Sequence, residues 1–262
     1  MQKNELLIPT PQYPTEKKPS GPRGFWSTVL FGLLIGFAYL VSQILVEGIF
    51  AIKNVISNPG ISSSQLMNSL TNGNVLTTAI FVSTLIGAGF TILFIKIRKG
   101  ITFKEYLALH PIKIRTFFIV FGITVALLII SGFATSGLNQ SKFTDQMVHA
   151  YQTSTMPVLI WIAVVVFAPV FEEMFFRGFL FKGFRSSRVG VTGAILITAV
   201  LWALLHATQY GIWELLVIFG LGVAFGIVRW RTNSLYASLS MHSLWNLISM
   251  IQTVLFIQGR IH

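Results

Sequence analysis

The sequence predicts an all-α fold: a polytopic transmembrane helix bundle of about seven spans, with its catalytic core in the last four helices. Three observations lead there. The 262-residue chain is 53% hydrophobic and only 10% charged, against about 25% charged residues in an average soluble domain, and its mean hydropathy is +0.73. Its apolar residues gather in runs long enough to cross a bilayer, which lipid forces to be helical because it cannot satisfy free backbone groups. Its Lys and Arg residues fall in the short connections between those runs, so the net charge of +11 is a signature of membrane topology rather than of a nucleic-acid groove. There is no cysteine, which excludes disulfides, thiolate metal sites and a cysteine nucleophile.

In chain order, residues 1–25 are polar and carry Pro9, Pro11, Pro14, Pro19 and Pro22, the composition of a disordered cytoplasmic tail. The predicted spans are Trp26–Ala51, Val75–Ile97, Thr116–Gly137, Pro157–Phe184, Val191–Ala207, Ile212–Trp230 and Ser234–Ile257. The first is too long for a signal-peptide core and reads as a retained anchor. Residues 26–150 form an N-terminal helical part, and 151–262 the part that carries the chemistry. The connection Ile101–Arg115 interleaves Phe103, Tyr106, Leu107 and Leu109 with Lys104, Glu105, Lys113 and Arg115, a pattern for an interfacial amphipathic helix ended at Pro111. Gly32-x-x-x-Gly36 and Gly222-x-x-x-Gly226 suit close helix packing within the chain. With the N-terminus inside, 16 of the 19 Lys and Arg residues lie on the inner side; Lys53, Lys142 and Arg260 are the three outside. That asymmetry predicts a cytoplasmic N-terminus and an odd number of spans.

Of the eight acidic residues, Glu172 and Glu173 lie side by side well inside a span. A charge there costs about 2.5–3.5 kcal/mol on insertion scales, so the pair needs a wet cavity or partners. Arg177, four residues on, is placed to neutralise Glu173. A structural ion pair between helices accounts for those two residues as well as a functional one does. Glu172 projects about 100° away and has no local partner, which suits a general base. Pro169 removes a backbone hydrogen bond and is expected to kink the helix there. His206 ends the fifth span, and His242 and Asn246 share one face of the seventh. His110, His149 and His262 fall in loops or the tail. Each intramembrane histidine alone is an ordinary core residue; the set of two carboxylates, a cation, two imidazoles and a carboxamide is not. No GxSxG-like serine context appears. By helical rise His206 falls some 22 Å deep and the others about 12–18 Å, so convergence requires the fifth span to tilt or to start later. The site is expected to open toward the inner side or laterally to lipid.

Glu172-Glu173-Met-Phe-Phe-Arg177 resembles the EExxxR motif of the type II CAAX-protease and bacteriocin-processing (CPBP, or Abi) family of membrane proteases. Trp202-Ala-Leu-Leu-His206 resembles its FxxxH motif with Trp in place of Phe, and His242-Ser-Leu-Trp-Asn246 its HxxxN/D motif. Order and intramembrane placement agree over about Pro157 to Ile257. The resemblance implies peptide-bond hydrolysis within the bilayer by a glutamic mechanism without a metal cofactor. Glu172 matches the glutamate that activates water, His206 the histidine that shares it, His242 and Asn246 the oxyanion stabilisers, and Glu173 and Arg177 the supporting residues. The Trp202 departure is expected to affect packing only. The partners implied are the lipid bilayer and a membrane-tethered or lipidated peptide or protein, and the compact chain resembles bacterial members of the family. Two alternatives remain at this point. One is a zinc-dependent membrane protease built on Glu172, His206 and His242, although HExxH is absent. The other is a non-catalytic membrane partner, an immunity protein or scaffold. A proton-coupled carrier fits less well, as no repeat symmetry is visible.

Overall fold

Apolar side chains facing outward in every direction are what a helix bundle in lipid requires, since only the backbone must be satisfied internally. The computed structural model describes residues 24–98, 100–135 and 142–259; most of the expected N-terminal tail, Arg260 and His262 lie outside them. Among the described residues there is no strand. The helices are α1 (Phe25–Ser57), α2 (Ser63–Leu70), α3 (Gly73–Ile97), α4 (Phe103–Leu107), α5 (Ile114–Thr135), α6 (Lys142–Thr153), α7 (Pro157–Arg185), α8 (Gly190–Leu205), α9 (Ile212–Thr232) and α10 (Leu235–Ile257).

Five of them, α1, α3, α5, α7 and α9, are long and apolar enough to cross a membrane. The other two expected spans differ for separate reasons. α8 has 16 residues, about 24 Å at 1.5 Å per residue, short of a hydrocarbon core about 30 Å thick. α10 has 23 residues, but its polar residues, His242 and Asn246 among them, lower its apolarity. The short helices α2 and α6 fall outside the expected spans. α2 is set by a capping box between Ser62 and Gln65, and α6 packs on α3 and α10.

The two ends of the bundle are built differently. One end gathers the last turns of α1, the first turns of α3 and α7, and α2 and α6. Asn54 Nδ2 donates to Ser69 Oγ at 2.9 Å, and the Gly73 backbone N–H to Thr153 Oγ1 at 3.0 Å. The other end is basic and densely packed. Buried Arg98 donates to the Tyr106 hydroxyl at 2.6 Å and to Thr28 Oγ1 at 3.3 Å, with its guanidinium 4.8 Å from the Phe179 ring. Tyr106 donates to the Phe179 carbonyl in turn, tying α1, α3, α4 and α7 together. The Ile101–Arg115 connection, expected as an amphipathic helix ended at Pro111, holds only a short helix ended at Ala108. α4 is a single capped turn whose Tyr106 and Leu107 are buried in the protein core, because burial against α7 removes more apolar surface than the headgroup region would. Gly222 and Gly226 do pack within the chain: a Cβ at either would meet α8, 3.0 Å from Ala199 or from Ile195. Gly32 approaches Leu180 in the same way, whereas Gly36 faces open space.

Candidate active site

α7 is regular only in part. It winds as a π-helix over Ala163–Phe167 and again over Glu173–Leu180, and Glu172 sits in the short α-helical stretch between them. The first π segment has a local cause. The Ala168 N–H bonds to the Ala163 carbonyl, five residues back. The next donor in that register would serve Val164, but residue 169 is proline and has no N–H. The Val164 carbonyl is instead taken by Asn246 Nδ2 of α10 at 2.9 Å. Pro169 thus acts by freeing an acceptor, and Asn246 is held in place by it, with one amide hydrogen still to offer.

Glu173 and Glu172 face different surroundings, as their spacing predicts. Glu173 has no exposed side-chain surface; its Oε1 lies 3.1 Å from Arg177 Nη1 and accepts from His242 Nδ1 at 3.1 Å. Arg177 Nη2 donates to the Gly222 carbonyl of α9, and its guanidinium lies 4.6 Å from the Trp202 ring and 5.3 Å from Phe225. The buried cation is offset by a carboxylate, one carbonyl and aromatic faces, while its Nε and Nη1 make no hydrogen bond among the described residues. Glu172 keeps 16% of its side-chain surface exposed, and its Oε2 lies 3.9 Å from His242 Nε2. His242 therefore stands between the two carboxylates. Its Nδ1–H is committed to Glu173, so Nε2 carries a proton only in the imidazolium form.

Trp202 is more than a packing substitute for phenylalanine. Its Nε1–H donates to Glu172 Oε2, and its carbonyl accepts from His206 Nδ1 at 2.8 Å. Its ring centroid lies 5.2 Å from that of His206 and 5.3 Å from that of His242, edge-on to both. The only sequence signal for this was the indole N–H itself, a donor that must find an acceptor when buried. α8 starts at Gly190, so a later start does not bring His206 level with Glu172. Trp202, one turn back, spans the difference.

Glu172, His206, His242 and Asn246 line one cavity of about 250 Å³. Tyr39 and Gln43 of α1 and Tyr210 of the α8–α9 turn also line it, and sequence reasoning missed all three, since a polar residue in a helix interior does not announce which cavity it faces. Tyr39 stacks on Phe171 with ring centroids 4.2 Å apart. Glu173 and Arg177 lie behind the cavity wall rather than in it. The expected opening is toward the inner side or laterally to lipid; among the described residues, no connection at the basic end lines the cavity. Phe175, Phe176, Phe179 and Phe181 fill that end, and the wall is completed from the opposite end, by Leu76, Met147 and Thr253. Among the described residues no three His, Asp or Glu side chains form a group placed to hold a metal ion.

The fold and cavity define a helical membrane protein with a largely apolar chamber inside the bundle that bears one carboxylate, two imidazoles and the Asn246 carboxamide. The family model for type II CAAX prenyl endopeptidase Rce1-like proteins matches residues 154–248, from just before α7 to the middle of α10. The resemblance read from the three motifs is borne out over that stretch. The comparison with curated proteins and that with solved structures gave no match.

Proposed function

We propose that the protein is an intramembrane endopeptidase that hydrolyses a peptide bond in a membrane-tethered or lipidated peptide or protein, with its basic end in the cytoplasm. The observation that carries this reading is the meeting of Glu172, His206, His242 and Asn246 around one cavity. A water between Glu172 and the bare Nε2 of His206 loses a proton to Glu172, and the resulting hydroxide adds to the substrate carbonyl carbon. The oxyanion is met by the second amide hydrogen of Asn246 and, in the imidazolium form, by Nε2–H of His242, whose Nδ1–H is held by Glu173. As the C–N bond breaks, protonated Glu172 returns the proton to the leaving amine and the carboxylate is restored. Asn246 is held by Val164, and His242 by Glu173 and Arg177, so the oxyanion donors are fixed before substrate arrives.

The test is cleavage by the purified protein in detergent, on a fluorogenic CAAX-type peptide and a panel of membrane-tethered peptides, with and without chelator. Cleavage that is lost in Glu172→Ala and in His206→Ala, and kept with chelator, is the expected result. Loss on chelation with rescue by zinc would move the assignment to the zinc-dependent protease. Wild-type behaviour of a Glu172→Ala strain would leave a binding partner in place of an enzyme.

A further inference from the structure

Resting on the protease reading and on the same cavity, we infer that the active site faces the non-cytoplasmic side of the membrane. Its substrate is then a peptide segment that has crossed the bilayer or emerges on that side, not a prenylated C-terminus in the cytosol. Two independent features of the molecule meet in this assignment. The first is where the cavity lies. Glu172, Trp202 and His242 mark its depth, and the wall then rises toward one end of the bundle. Leu76 and Ile80 come from the first half of α3, Val164 from the first turns of α7, and Ser249 and Thr253 from the second half of α10. Met147 of α6 and Gln209 of the α8–α9 turn complete that rim. No residue of the α3–α5 connection, the α7–α8 turn or the α9–α10 turn lines it. Those segments lie at the other end, below the buried Glu173–Arg177 pair and the Phe175, Phe176, Phe179 and Phe181 packing.

The second feature is charge. The end away from the cavity carries Lys96, Arg98, Lys104, Lys113 and Arg115 around α4, Lys182, Arg185 and Arg188 at the α7–α8 turn, and Arg229 and Arg231 at the end of α9. The segments at the cavity end hold only two basic residues, Lys53 in α1 and Lys142 at the start of α6, among the described residues, against the acidic Glu47, Asp145 and Glu214. Lys and Arg in short connections are retained in the cytoplasm, so the basic end is cytoplasmic and the cavity end is not. Water reaches the cavity from that side, and with it any segment to be cut.

The chain has no cysteine, so single introduced cysteines report without background. Thr208→Cys places a thiol in the exposed turn at the cavity end, Ser249→Cys one on the cavity wall, and Ser186→Cys one in the exposed turn at the basic end. Each variant is treated with a small membrane-impermeant thiol reagent, in intact cells and in inside-out vesicles. The expected result is modification of Thr208→Cys and Ser249→Cys in intact cells, and of Ser186→Cys only in inside-out vesicles. The reverse pattern overturns the assignment. So does a Ser249→Cys that reacts from the Ser186 side, or from neither side while Thr208→Cys reacts. Cleavage in detergent by wild type and Glu172→Ala reports on the protease reading separately. Reversed labelling with Glu172-dependent cleavage defeats the facing alone, and the expected labelling without cleavage defeats the protease alone.

Discussion

Trp202 touches more of the candidate site than any titratable residue in it. Its N–H fixes one oxygen of Glu172, its carbonyl fixes the tautomer of His206, and its face carries the Arg177 guanidinium. A phenylalanine at this position keeps the ring and loses the hydrogen bond. A hydrogen bond to a charged group is worth about 2 kcal/mol, so Trp202→Phe should lower kcat by about thirtyfold with KM little changed. An unaltered kcat in a folded variant would mean that Glu172 finds its reactive orientation without the indole. The pairing of Glu173 with Arg177 was legible from their spacing of four. That His242 also binds Glu173 was not, because the two residues are 69 positions apart.

At the scale of elements, α7 does the positioning through its departures from α-geometry. Pro169 and the π segment before it leave the Val164 carbonyl to Asn246. Asn246→Ala should therefore orphan a part-buried acceptor and destabilise the protein by about 1 kcal/mol. Pro169→Ala restores an N–H placed to take that carbonyl. In a Pro169→Ala background the same Asn246→Ala change should cost less, with a coupling of about 1 kcal/mol in thermal unfolding in detergent. Equal costs in both backgrounds would refute the link. The proline was visible in the sequence and was read as a kink. Its consequence, an orphaned carbonyl answered from another helix, needs the register of α7 against α10.

Across the whole molecule, the stretch that matches the family model carries Glu172, His206, His242 and Asn246, while helices before it close the chamber. α3 reaches α7 at Gly87, where a Cβ would lie 2.4 Å from the Phe171 ring. That ring cannot yield, since it is 1% exposed and stacked between Tyr39 and Phe175. Gly87→Val should cost about 1–3 kcal/mol by overpacking and should abolish cleavage by displacing the chamber floor beside Glu172; full activity and stability in detergent would show that α3 does not set it. The sequence by itself determined the lipid solvent, the helical class, five of the expected spans, and four of the polar residues that line the cavity, Glu172, His206, His242 and Asn246. Those follow from composition and local spacing, which act along one helix at a time. The length of α8, the burial of α4, the contacts of Trp202, and the end of the bundle that lines the chamber were decided by tertiary structure alone. Each depends on which faces of separate helices meet. In a chain this apolar nearly every face is equally acceptable to lipid, so hydropathy cannot say which one turns inward.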